Sequence, residues 1–201
     1  MATLEFMEIE NHQKEVFKAD FQTYLEEIDL TSGRPVNPDF QDRFPAYNSF
    51  FTDNPKKIPF RISIVRDPES PSVGKDHVGF FFLSLVTPND FPSVIDSIYE
   101  DPETDVACLT HFYIYPNRRG RGLAWKFYHS IIDLATDSLN EWQVAWECDK
   151  NNEPAIKFYD KVLKRIKREH DYEMSKQKYQ KKEENNRTYF FYQVKFDFSS
   201  E

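Results

Sequence analysis

The sequence predicts an α+β protein in which strands and helices alternate, in a single domain over residues 1–201. Three observations carry this. Short runs with alternating or continuous apolar residues recur at strand length, and three longer runs carry apolar residues at helical spacing. Their order is β-α-α-β-β-(insert)-β-α-β-α-β-β, and no repeat, linker or low-complexity tract interrupts it. The 201 residues include 19 Phe and 11 Tyr, so the 39% hydrophobic fraction can bury a sizeable core, and the charged residues alternate in sign rather than forming a disordered block.

The elements follow in chain order. Residues 4–9 alternate through Leu4 and Phe6 and predict a short strand. Asn11 offers a helix cap, and Val16, Phe17, Phe21, Tyr24, Leu25 and Ile28 then recur at helical spacing over residues 12–28, until Ser32-Gly33-Arg34-Pro35 ends the run. The Phe-rich stretch 38–51, with Pro45 inside it, reads as a short broken helix that either covers a substrate site or closes one side of the core. Ile58, Phe60, Ile62 and Ile64 mark a strand over 58–65. Turn signals fill 67–76, a hairpin loop, before a continuous apolar strand over 78–86. Residues 88–104 read as an insertion with one helix, followed by a strand over 106–115.

The C-terminal half continues the alternation. Leu123, Ala124, Phe127, Tyr128, Ile131, Leu134 and Ala135 form one stripe of a helix over 123–139. A strand over 142–148 follows. Asn152 caps a helix whose face carries Ala155, Phe158, Tyr159, Val162, Leu163 and Ile166. Residues 168–175 and 188–198 read as the last two strands, with a charged loop at 176–186 between them.

Charge narrows the partners. The net charge of -8 argues against a general nucleic-acid binder, and the acidity lies in residues 1–100, which suits a cationic substrate or simply a solvated surface. Two cysteines, Cys108 and Cys148, form no disulfide framework and predict free thiols in a reducing compartment. The N-terminal segment has no basic region or long apolar run of a signal peptide, and no run approaches the roughly 18 residues of a membrane helix. These features predict a cytoplasmic protein that does not engage a membrane.

Two stretches carry chemistry. The strand ending at Tyr115-Pro116 runs into Arg118-Arg119-Gly120-Arg121-Gly122 and then directly into a helix at Leu123. Glycines that turn backbone N–H groups inward, a helix N-terminus and adjacent arginines together suit an anion, with pyrophosphate the natural guest; a plain turn with solvent-facing arginines is the alternative. The second stretch is Asn152-Glu153-Pro154-Ala155-Ile156-Lys157-Phe158-Tyr159. Taken alone, it reads as an N-cap asparagine, a first-turn proline and an aromatic core stripe.

Together the two stretches resemble the GNAT superfamily of acyl-CoA-dependent N-acyltransferases. Arg119-Gly120-Arg121-Gly122-Leu123-Ala124 matches that family's [QR]-x-x-G-x-[GA] loop at every fixed position, and Ile114-Tyr115-Pro116 is similar to its strand-ending V-x-P. Glu147 and Asn152 fall where its fifth strand and the asparagine after it fall. The wording around Asn152 is also similar to that of diamine acetyltransferases. The resemblance implies three layers, with one mixed and mostly antiparallel sheet splayed between strands four and five and helices on both faces, acetyl-CoA as co-substrate with no metal, and an N-acetyltransferase acting by direct attack of a primary amine. A small-molecule amine is favoured, with a protein N-terminus or lysine, or an inactive CoA-binding module, as alternatives.

The resemblance assigns roles. Phe112 and Ile114 would hold the pantetheine arm through the strand backbone. Arg119, Gly120, Arg121, Gly122, Leu123, Ala124 and Asn152 would complete the cofactor site, and Tyr159 would protonate the departing thiolate. The amine must lose a proton, and Thr110 through a water, His111, Glu147 or an acid after the first helix could take it. Thr110 shares its side of the strand with Cys108 and Ile114, whereas His111 points to the other face unless a bulge intervenes. The sequence departs from the family twice: Cys108 stands where many relatives have a glutamate base, and Leu163-Lys164 where many have Gly-Phe. The aromatic strand 189–198 offers an exchange edge for a homodimer.

Overall fold

A computed structural model of the chain describes residues 3–52, 56–65, 75–86, 106–120, 122–135, 143–169, 173–181 and 187–195. Strands β1 (Thr3–Glu8), β2 (Lys57–Val65), β3 (Lys75–Val86), β4 (Val106–Ile114), β5 (Gln143–Asp149), β6 (Glu173–Lys181) and β7 (Arg187–Lys195) form one sheet in the order β1-β2-β3-β4-β5-β7-β6. Only the β4–β5 pair is parallel. Helices α1 (Lys14–Thr31) and α2 (Phe40–Arg43), with a 3-10 segment at Pro45–Phe51, precede β2, while α3 (Leu123–Asp133) and α4 (Glu153–Glu169) flank β5 in the chain.

Strand β3 shows how the layers are held. Its apolar run is buried on both faces: Phe80 and Phe82 pack with Phe17, Phe21 and Tyr24 of α1, while Phe81 and Leu83 belong to the core with α3 and α4. Phe21 stacks on Phe82 with centroids 4.9 Å apart, and on the other face Trp146 stacks on Tyr192 at 5.4 Å. Each such pair adds about 0.5–1.5 kcal/mol beyond the area it buries. Gly79 is required where β3 approaches β4, because a Cβ there would stand 2.1 Å from the Tyr113 carbonyl oxygen.

Two irregularities in β4 position the site. The parallel ladder to β5 pairs Ala107 with Val144, Cys108 with Ala145 and Leu109 with Trp146, and ends there. Beyond Leu109 the two strands diverge, which is the splay the resemblance implied. In the ladder to β3, His111 faces Phe82 while Leu109 faces Leu83, so Thr110 is the extra residue of a β-bulge. Its Oγ1 donates to the Phe82 carbonyl at 3.2 Å.

The bulge overturns the expected sidedness. Leu109, Phe112 and Ile114 pack towards α3 and α4, and Tyr113 packs towards α1. By register Cys108, opposite Ser84, and His111, opposite Phe82, lie on the α1 face. Cys108 and Ile114 therefore do not share a side, because the extra residue shifts the alternation by one.

Three further expectations are corrected. Asn11 does not cap the first helix: it lies in a 3-10 turn at Asn11–Gln13, and the Glu10 backbone N–H donates to Gln13 Oε1 at 3.3 Å. Residues 176–181 are not loop but most of β6, since α4 runs past Leu163 and Lys164 to Glu169 and displaces the strand C-terminally. The last strand is not an edge, because β6 covers β7 and leaves β1 and β6 outermost. The expected insertion at 88–104, the hairpin loop up to residue 74 and the end of the 123–139 helix beyond 135 lie outside the described residues.

Candidate active site

The divergence of β4 and β5 opens a cleft of about 820 Å³ that passes from the α1 face to the α4 face. Thr110, His111, Phe112, Ile114, Arg119, Asn152 and Tyr159, all singled out in the sequence, line it. Gly120, Gly122, Leu123 and Ala124 follow Arg119 in the turn and first residues of α3. Arg121 lies outside the described residues.

The loop leaves backbone donors available. After the 3-10 turn Pro116–Arg118, Gly120 has φ of 75° and Gly122 φ of 70°, and Gly122 is the N-cap of α3. No side chain caps that helix. Its first-turn N–H groups and dipole therefore present about half a positive charge to an anion. With the described arginines paired as they stand, the donors open to a pyrophosphate there are backbone N–H groups. Arg118 pairs with Asp76. Arg119 turns back across β4: Nε donates to the Ile114 carbonyl at 2.8 Å, and its two terminal nitrogens donate to Glu27 at 2.5 and 2.9 Å.

On the α1 face, His111 sits among aromatic rings, edge-on to Phe21, Phe44 and Phe82. Its Nδ1 lies 3.1 Å from the Tyr24 hydroxyl. Burial raises the Tyr24 phenol above its usual value, so Tyr24 stays protonated. Further along the same face, Arg43 pairs with Asp29 and Arg34 with Asp149, each at 2.9 Å, and both arginines line the cleft. Glu147 of β5 borders the cleft as well.

On the opposite face, Tyr159 is 8% exposed and packs on Trp146 and Tyr192 at 5.5 and 5.4 Å. Its hydroxyl makes no hydrogen bond among the described residues, and the residue lines the cleft. Burial holds the phenol well above its usual value, so it remains a proton donor throughout the neutral range. Cys148, beside it in the cleft, is pushed up to about 12 by burial and by Asp149 and Glu147, so it stays a thiol. Asn152 Oδ1 accepts from the Ala155 N–H at 3.3 Å, so the expected cap of α4 is formed by a residue that also lines the cleft.

A match to the acetyltransferase (GNAT) family model over residues 35–164 spans the loop, the bulged strand, the splay and the Asn152–Tyr159 stretch. The chain belongs to the GNAT acetyltransferase family. Membership makes it an acetyl-CoA-dependent N-acetyltransferase. Among solved structures, Arabidopsis thaliana NAA60 in complex with acetyl-CoA superposes with a TM-score of 0.60 at 12% identity, covering 95% of this chain and 97% of that one. The spermidine N-acetyltransferase of Vibrio cholerae in complex with CoA and spermine superposes at 0.56 and 13% identity, covering 96% and 95%. At these identities the likeness is one of fold. A search of curated proteins finds no sequence match.

Several cleft residues escaped the sequence reading of the site: Tyr24, Glu27, Arg34, Arg43, Tyr113 and Asp149. Tyr24 was visible only as part of the apolar stripe of α1. Glu27 follows it by three positions and so lies on the neighbouring part of the same helix face, a spacing that could have flagged it.

Proposed function

We propose that this GNAT acetyltransferase moves an acetyl group from acetyl-CoA to the primary amine of a small molecule, by direct attack within a ternary complex. The observation that supports the reading is the end of the β4–β5 ladder at Leu109 and Trp146, with polar residues of the α1 face and Tyr159 lining one cleft. Acetyl-CoA supplies the acetyl group as a thioester. The β5-facing edge of β4, around Phe112 and Ile114, would hold the pantetheine arm through its backbone. The N–H groups of residues 120–124 would hold the pyrophosphate, and Asn152 would border the arm.

The α1 face would receive the amine. His111 is the favoured proton acceptor there, with Thr110 through a water and Glu147 as the other groups placed at the cleft. On the far face Tyr159 would give its proton to the departing sulfur. Arg43, which donates to the Leu25 carbonyl of α1, and Phe44 line the cleft on this side as well. Free thiols at Cys108 and Cys148 support a cytoplasmic setting for one domain spanning residues 1–201, and among the described residues no helix is long and apolar enough to cross a membrane.

The test is thiol release from acetyl-CoA with a panel of polyamines, aminoglycosides and peptides with free N-termini. Turnover with small amines and none with peptides is expected. Turnover with peptides alone would replace the small-molecule acceptor with a protein N-terminus, and absence of both turnover and CoA binding would remove the catalytic reading.

A further inference from the structure

The engagement of Arg119 by Glu27 joins two sites that the reaction must use together. Glu27 stands on the α1 wall of the cleft and Arg119 opens the phosphate-binding loop, 92 residues away in sequence. The carboxylate takes both terminal nitrogens of the guanidinium, and Tyr113 donates its hydroxyl to Glu27 Oε2 at 2.8 Å. The guanidinium also lies over the Tyr113 ring, 5.1 Å from its centroid. One carboxylate thus holds one cation through two hydrogen bonds and is itself held by a tyrosine, at the border between the cofactor loop and the acceptor wall.

We propose that Glu27 is the resident counter-ion of the cofactor loop and becomes the carboxylate that recognises the cationic acceptor once cofactor phosphate draws on Arg119. The inference rests on the reading of the loop as a pyrophosphate site and of the α1 face as the acceptor side. A pyrophosphate on the amides beside Arg119 carries more negative charge than one carboxylate and competes for the same guanidinium. As Arg119 shares its charge with that phosphate, its hold on Glu27 weakens, and the carboxylate is left facing a cleft into which an ammonium group must come. An acceptor cation at Glu27 in turn relieves Arg119 of its partner and strengthens the phosphate site, because coupling between two ligands is reciprocal. Glu27 is thus a specificity-determining residue for charged amines and the means by which cofactor binding prepares the acceptor site.

The competition has a signed signature that needs no knowledge of the acceptor. Titration of CoA into the wild type and into Glu27→Gln, with thermal melts to verify that both are folded, measures it. Glutamine keeps the shape and can still accept from Tyr113, but it no longer competes as an anion. CoA should bind Glu27→Gln about fivefold more tightly than the wild type, at the lower end of typical couplings between sites. Glu27→Asp, charged but shorter, should fall between them. Unchanged or weaker binding by Glu27→Gln would overturn the proposal and leave Glu27 as a fixed latch. If the wild type itself bound no CoA, the reading of the loop as a phosphate site would fail instead.

Discussion

The Tyr24 hydroxyl lies 3.1 Å from His111 Nδ1, so a helix of the acceptor wall and the bulged strand of the cleft are joined by one hydrogen bond. For His111 to accept a proton from an amine through Nε2, Nδ1 must carry the hydrogen and donate it to the Tyr24 oxygen. His111→Gln should then lower kcat/KM about 100-fold, and Tyr24→Phe should lower it less, because it removes the orienting partner rather than the acceptor of the proton. Full activity in His111→Gln would move the base to Glu147 or to Thr110 acting through a water. The measurement is the steady-state rate against pH for the three proteins.

Tyr159 should separate chemistry from binding. The residue lines the cleft, and its hydroxyl has no hydrogen-bond partner among the described residues, while its ring is packed on Trp146 and Tyr192. Tyr159→Phe keeps the packing and removes the proton. The expected result is a fall in kcat of about 100-fold with CoA affinity unchanged in a calorimetric titration. Unchanged turnover would take Tyr159 out of the mechanism.

Gly122 should report on the phosphate loop. Its φ of 70° is reached by a branched residue only with strain, costing roughly 1–2 kcal/mol, and it caps the helix whose N-terminus would receive the pyrophosphate. Gly122→Val should therefore abolish CoA binding while lowering the melting temperature only modestly. Wild-type CoA affinity in that variant would refute the backbone cradle.

The Glu27 cluster predicts an acid-dependent share of stability. Burial works to raise the Glu27 carboxyl, but hydrogen bonds from Arg119 and Tyr113 outweigh it and hold the group below its ordinary value. A carboxyl depressed in the folded state contributes stability above its unfolded value, near 4.3, and loses it as pH falls through the lower folded value. The wild type should melt above Glu27→Gln at pH 7, and the gap should close as the pH falls below about 4. A gap independent of pH would show that charge at Glu27 is not what stabilises the cluster.

The aromatic core around His111 gives a stability prediction of its own. Phe21 is fully buried and touches Phe80, Phe82, Tyr47 and His111. Phe21→Ala should cost about 3–5 kcal/mol in urea unfolding, because a rigid ring network cannot close over the cavity. A cost below about 1 kcal/mol would mean that this layer is not a packed core.

What the sequence disclosed was what spacing encodes. The apolar run of β3, the stripe of α4 and the glycine loop before α3 are local patterns, and each is formed as read. The Thr110 bulge left no local mark, because it is a property of the register between β3 and β4, and it moved His111 and Tyr113 to the α1 face together. The Arg119–Glu27 and Arg34–Asp149 pairs span 92 and 115 residues, so no window of the sequence shows them. Strand β6 is expected over 168–175, and its run from 176 to 181 reads as loop, since a polar outer strand looks like a charged loop when only apolar periodicity is followed.

The account turns on where the thioester arm lies, and a crystal structure of Tyr159→Phe grown with acetyl-CoA measures this directly. It predicts density for the arm between β4 and β5 beyond Leu109, along the backbone at Phe112 and Ile114, with the pyrophosphate on the turn at residues 120–124. An arm bound elsewhere, with the splay empty, would contradict it.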